Sequence, residues 1–168
     1  YNDFQISEIK SVNPNIDVRY ADINAGKLPF SDGTFDLVFS VDVIEHVKNE
    51  ENFLWEHIRI AKPKGVILIV TPNYWRTGNI ILKVIGKLRF PRKYGEHAYG
   101  EAVHLREYTS GKLLELINSS NNMIENNTLQ IVPCWFGLPL SNFGVDKFPK
   151  IFGRYCHSWF MIFRKKSN

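Results

Sequence analysis

The run Phe35-Asp36-Leu37-Val38-Phe39-Ser40-Val41 constrains the fold of this chain more than any other stretch. It is nearly continuous in apolar residues and rich in β-branched and aromatic side chains, which predicts a central parallel strand covered on both faces. Helical spacing takes over directly, with Val43, Val47, Leu54 and Ile58 on one side of a helix expected over 43–61. Ser40, Asp42, Glu45 and His46 therefore fall at or just beyond the carboxyl end of a strand. In an open α/β sheet, ligands bind at that end.

The flanking segments extend the pattern. Residues 3–12 predict a short surface helix stopped at Asn13-Pro14-Asn15, and residues 17–21 a short strand ending at Asp22-Ile23. A loop with Gly26, Pro29 and Gly33 leads into the central strand. After Lys62-Pro63-Lys64-Gly65, the five aliphatic residues Val66 to Val70 predict a second buried parallel strand ending in Thr71-Pro72-Asn73. Strand, helix, strand in this order implies a parallel sheet with helices on its faces. Residues 74–108 interrupt the rhythm. A helix is expected within 75–90, with Ile80, Ile81, Val84, Ile85 and Leu88 on one side, then loop from Pro91 to Glu107. Thr109 or Ser110 caps a helix running to Ser119. Strands over 128–135 and 154–163 close the chain as an antiparallel pair at one sheet edge, separated by a loop over 137–148.

Composition narrows the class. With 168 residues, 44% apolar and 14% aromatic, the chain suits one globular domain. A net charge of +4 is too modest for a nucleic-acid binder without a recognition motif. The distant Cys134 and Cys156 suggest free thiols. No apolar run reaches the ~20 residues that span a bilayer, and no signal peptide is visible, so a cytoplasmic location is expected.

The motifs Ala21-Asp22, Leu28-Pro29-Phe30-Ser31-Asp32-Gly33-Thr34-Phe35-Asp36-Leu37-Val38, Val43-Ile44-Glu45-His46-Val47, Arg59-Ile60-Ala61-Lys62-Pro63-Lys64-Gly65, Thr71-Pro72-Asn73 and His104-x-Arg106-x-Tyr108-Thr109 occur in this order. Together they resemble the class I S-adenosylmethionine-dependent methyltransferases, nearest the type-11 group that includes the quinone-biosynthesis enzymes. The resemblance covers roughly residues 1–120. It implies a Rossmann-like sheet of strand order 3-2-1-4-5-7-6, mostly parallel with an antiparallel C-terminal strand. Members of the family carry a glycine-rich loop after their first strand and a ribose-binding acid after the second. Neither is found here, so strands 1 and 2 of the family sheet are expected to be missing from this sequence. Residues 1–168 then form a single incomplete domain, with 74–108 as a lid over the acceptor, and the fragment alone is expected to be inactive. The fourth strand of the family sheet would expose an open edge.

The resemblance further implies S-adenosylmethionine as cofactor and transfer of its methyl group to a small-molecule or lipid-like acceptor, at oxygen or carbon. Asp22 would accept from the adenine amino group, Ile23 would back the ring, and the backbone at Ser40 and Val41 would lie beside the methionine portion. A plain reading makes Asp22 an Asx-turn residue instead. His46 and His104 are the candidate catalytic residues, as bases toward an acceptor hydroxyl. If a helix starts at 42, then Asp42, Glu45 and His46 share a face. A similar acidic-x-x-Glu-His pattern accompanies magnesium in some quinone O-methyltransferases. Helix capping by Asp42 explains the pattern equally, and no metal is assigned. The helix with Lys83, Lys87, Arg89, Arg92 and Lys93 suits a solvated lid, with peripheral membrane contact through 75–94 as the other reading. The rival function is a non-catalytic, methyltransferase-like binding module.

Overall fold

The computed structural model describes residues 3–97, 100–134 and 154–167. Its elements are α1 (Asp3–Val12), β1 (Phe35–Val41), α2 (Glu50–Ile60), β2 (Ala61–Pro72), α3 (Thr77–Val84), β3 (Arg92–His97), β4 (Gly100–His104), α4 (Ser110–Asn118), β5 (Gln130–Cys134) and β6 (Ser158–Arg164), with short 3-10 turns at Ile44–His46 and Asn121–Met123. Four strands form one sheet in the order β1-β2-β6-β5. β1 and β2 run parallel, with Leu37 opposite Val66 and Val41 opposite Val70. β6 is antiparallel to both β2 and β5, so three strands share one direction and β6 alone opposes them. This is the mostly parallel arrangement with an antiparallel C-terminal strand that the sequence predicts. A second, two-stranded sheet pairs β3 with β4.

Side-chain alternation explains the layering. Val38 and Ser40 of β1, Ile67, Ile69 and Thr71 of β2, and Trp159, Met161 and Phe163 of β6 lie on one face. Phe53, Leu54 and Ile58 of α2 and Leu113 and Ile117 of α4 join them in one core cluster and are at most 1% exposed. Asn49 caps α2 by accepting the Asn52 N–H at 2.9 Å, and Glu50 and Glu51 suit the positive end of the helix. Thr109 caps α4 in the same way. Gly65 sits where β2 bulges beside Phe35. A Cβ there would stand 2.8 Å from the Lys62 carbonyl oxygen, so only glycine fits.

Several expectations are corrected. The helix expected over 43–61 is two pieces. A 3-10 turn covers Ile44–His46, Val47 is extended, and α2 starts only at Glu50. Burial of both Ile44 and Val47 draws the chain inward before the helix can begin. Residues 17–21 are not a strand. Their backbone has no ladder partner among the described residues, and Arg19 instead pairs with Asp17 and the Pro29 carbonyl. The segment from Pro91 to Glu107 contains the β3–β4 hairpin rather than loop alone. In α3, Ile81 and Val84 are exposed, as is Ile85 just past its end, and the buried residue is the polar Asn79. Among the described residues β1 lies at a sheet edge, the open edge that the resemblance implies, but Leu37, Phe39 and Val41 on its second face are 53%, 65% and 50% exposed. A strand covered on both faces was expected there. His57 of α2 is buried, and its Nδ1–H donates to the Phe53 carbonyl oxygen at 2.8 Å. The loop expected over 137–148 lies outside the described residues. Both cysteines are free. No helix among the described residues is long and apolar enough to cross a membrane.

Candidate active site

The site forms where the chain leaves β1. Asp42 takes a left-handed backbone conformation (φ 51°), which short polar residues tolerate best after glycine, and its N–H donates to Val70 O at 3.0 Å. The 3-10 turn then carries Glu45 beneath the end of β2. Glu45 is fully buried, and Thr71 Oγ1 donates to its Oε2 at 3.0 Å. Its Oε1 is buried without a hydrogen-bond partner. Burial pushes the Glu45 carboxyl up to about 7, Asp42 adding to the rise and Thr71 working against it.

Two imidazoles face that oxygen. His46 Nε2 and His104 Nε2 each lie 3.9 Å from Glu45 Oε1, and the two rings meet edge to face with centroids 4.8 Å apart. Each ring is held from behind. His46 Nδ1 lies 2.7 Å from the Val103 carbonyl oxygen, which can only accept, so the proton sits on Nδ1. His104 Nδ1 lies 2.9 Å from Glu107 Oε1. Glu107 is buried and accepts from Arg76 Nη2 at 2.6 Å and from Asn79 Nδ2 at 2.5 Å, while Arg92 donates to Asn79 Oδ1 at 3.0 Å. With a guanidinium and an amide as donors Glu107 is ionised, and His104 Nδ1 carries its proton toward it.

The segment around His104 is fastened at three more points. Leu105 N–H donates to Glu45 O at 2.8 Å. Tyr108 pairs with Asn73 in an isolated bridge and donates its hydroxyl to Glu50 Oε1 at 2.9 Å, where burial and the Glu50 carboxylate raise the phenol. Arg106 pairs with Glu50 Oε2. The two candidate catalytic histidines, 58 positions apart, are thus brought into contact.

The candidate cofactor residues form a different group. Asp22 Oδ1 accepts the Asn24 N–H at 2.9 Å, the Asx turn that the plain reading anticipates. Asn24 Oδ1 in turn accepts Lys48 N–H at 2.8 Å, which ties this loop to the chain just past His46. Ile23 is half-buried against the core. Ser40 Oγ is buried with no partner, an orphan hydroxyl at the strand end, and Val41 is exposed. Sequence reasoning missed Thr71, Asn79 and Glu107. Glu107 stands three residues after His104, a spacing visible in the sequence, whereas nothing marks Asn79.

Residues 4–69 match the model of the type-11 methyltransferase domain. The chain is 26% identical over 126 residues to a probable S-adenosylmethionine-dependent methyltransferase of Mycolicibacterium smegmatis, covering 75% of this chain and 42% of that protein. It is 49% identical over 43 residues to the chloroplastic tocopherol O-methyltransferase of Arabidopsis thaliana, covering 26% of this chain and 12% of that one. Its fold is similar to that of a SAM-dependent methyltransferase from Thermotoga maritima, with a TM-score of 0.61 at 18% identity over 96% of this chain and 70% of the other. The chain spans less than half the length of the two sequence relatives. Residues 4–69 thus carry the sequence signature of the type-11 methyltransferase domain, and the fold is similar to that of the Thermotoga maritima methyltransferase.

Proposed function

We propose that the protein takes part in methyl transfer from S-adenosylmethionine to a small-molecule acceptor, with an oxygen acceptor favoured over carbon. The observation that carries this reading is the pair of imidazoles, each with Nδ1 bonded behind it and Nε2 turned to one point beyond the end of β1. The bound cofactor supplies an electrophilic methyl group on a sulfonium that leaves as a neutral thioether. Little acid–base power is needed, and alignment of donor and acceptor dominates. An acceptor hydroxyl gains from a base within hydrogen-bond reach, and Nε2 of His46 or His104 is such a base.

On the cofactor side, Asp22 and Ile23 would receive the adenine, and the strand end at Ser40 and Val41 would lie beside the methionine portion. The partnerless Ser40 hydroxyl and the tie between Asn24 and Lys48 support that assignment. Residues 74–108 would cover the acceptor, since Asn79 of α3 and Arg92 of β3 both reach the Glu107 network that holds His104. Peripheral contact with a membrane through 75–94 draws support from Ile81 and Val84, exposed on the helix that carries Lys83, and from exposed Ile85 at its C-cap.

Calorimetric titration of the complete protein with S-adenosylhomocysteine tests the reading. Saturable binding that weakens in Asp22→Ala and survives in His104→Ala, with methyl transfer lost in the latter, is the expected result. No binding at millimolar concentration would leave the non-catalytic binding module as the better account.

A further inference from the structure

Glu45, His46 and His104 present one carboxylate oxygen and two ring nitrogens that lie within 4.8 Å of one another. The residues behind them set what these atoms can do. The Val103 carbonyl holds the proton of His46 on Nδ1, and the ionised Glu107 does the same for His104. Each Nε2 therefore presents a lone pair toward Glu45 Oε1, which is itself a buried acceptor with no donor. Three electron-rich atoms around one point call for a positive charge between them. A backbone carbonyl behind one imidazole and a carboxylate behind the other are the usual outer supports of metal-binding histidines.

We propose that Glu45, His46 and His104 form a binding site for a divalent transition-metal ion of the zinc, cobalt or iron type. Two imidazoles and one carboxylate are a borderline-soft donor set, suited to such ions rather than to magnesium or calcium, which prefer oxygen. Ligand atoms on one such ion stand about 3.0–3.4 Å apart. The 3.9 Å from Glu45 Oε1 to each Nε2 thus closes by about 0.5–0.9 Å on binding, and the whole set, within 4.8 Å before binding, draws together through rotations of the rings and the carboxylate. Three protein ligands leave positions open for a bound molecule. The set differs from the acidic pattern that the sequence suggests. Asp42 is exposed, stands on a left-handed turn and contributes no atom to the cluster, while His104 arrives from a distant segment. With the ion bound, both Nε2 atoms are committed to it, and the role of imidazole base belongs to the metal-free protein.

The inference rests on the geometry of these three side chains and not on methyl transfer, so its test is binding. Chelator-treated protein is titrated with Co2+, followed by visible d–d absorption, and then with Zn2+ by calorimetry and by displacement of Co2+. One equivalent of each is expected, with Zn2+ displacing Co2+ and Mg2+ unable to. Glu107→Gln, which weakens the hold on His104 Nδ1, is expected to lower affinity by about 10–100-fold. His46→Ala and His104→Ala should each lower it by more than ~100-fold, since each removes a ligand rather than its support. Asp42→Asn should leave affinity unchanged within about threefold while Glu45→Gln weakens it, the carboxylate being the only charged ligand. Circular dichroism checks that each variant is folded, and His104→Gln replaces the alanine variant if that one is not. Failure of both ions to saturate the folded protein at millimolar concentration overturns the proposal. So does wild-type affinity in a folded His104 variant, or loss of binding in Asp42→Asn.

Discussion

Glu45 and Glu56 are the same residue type, eleven positions apart, and both are fully buried, yet their surroundings are opposite. Glu56 receives Arg59 Nε at 2.7 Å and Arg59 Nη2 at 2.7 Å, and accepts the Leu28 N–H at 2.6 Å. Burial alone would raise its carboxyl, but Arg59 and Leu28 hold it below the usual range. Arg59 also donates to the carbonyls of Phe30 and Leu28 and to Asp32, so this pair anchors the loop leading into β1. Glu45 has one donor, Thr71, and one oxygen left over. A carboxylate whose lone pairs are all used serves structure. One left unsatisfied at the end of a strand, facing two imidazoles, is a cost carried for a ligand.

Removing the partner of Glu56 should produce the largest effect. Arg59→Met strands a buried carboxylate and releases the 28–32 loop, and should cost about 3–5 kcal/mol in urea unfolding. A loss under about 1 kcal/mol would mean that Glu56 is neutralised or solvated and the contrast with Glu45 is unfounded.

The two carboxylates should also respond to pH in opposite senses. Glu45 has a folded pKa of about 7, above its unfolded value, so its contribution favours folding below about pH 4.5 and is lost as pH rises through 7. In chelator-treated protein, Glu45→Gln should therefore raise stability near pH 8 by about 2–3 kcal/mol and change it little near pH 4. Equal melting shifts at both pH values would contradict this. Glu56 has a depressed folded pKa, so its stabilisation is present above about pH 4.5 and is lost as pH falls through the folded value. An acid unfolding midpoint no higher in Arg59→Met than in the wild-type protein would remove the Arg59 pairing as the cause.

Glu107→Gln should cost about 1–3 kcal/mol, because Arg76 loses its charged acceptor in a buried site. Thermal melting of the two forms measures it, and an unchanged midpoint would show that the network around His104 is not stabilising. Smallest of all, Phe39→Thr on the exposed face of β1 should change stability by less than about 0.5 kcal/mol. A loss above about 1.5 kcal/mol would show that this face is covered in solution.

Much of this was readable in the sequence. The aliphatic runs at Phe35–Val41 and Val66–Val70 leave little choice but paired strands, and Thr109 marks the start of α4 as a side-chain cap. The break between Val47 and Glu50 was less legible, although Asn49 with Glu50 and Glu51 is an N-terminal signature that outweighs continuous helical spacing. The β3–β4 hairpin lacks an alternating apolar face; Arg92, Lys93, Glu96 and His97 give no period to read. The clustering of Glu45 with His46 follows from adjacency, but the arrival of His104 depends on Tyr108 pairing at the end of β2 and on Leu105 bonding to Glu45 O. Such contacts belong to tertiary structure and leave no local pattern.

The place of β6 between β2 and β5 bears on how the sheet can be assembled. β5 precedes β6 in the sequence but touches β2 only through it, so a nascent chain that has exposed β5 still offers it no neighbour. Until residues 158–164 leave the ribosome, β2 has an unpaired flank and Ile67 and Ile69 lack Phe163 and Met161 opposite them. Truncated or slowly translated chains should therefore present sticky strand edges to chaperones, with the vulnerable interval ending abruptly when β6 docks.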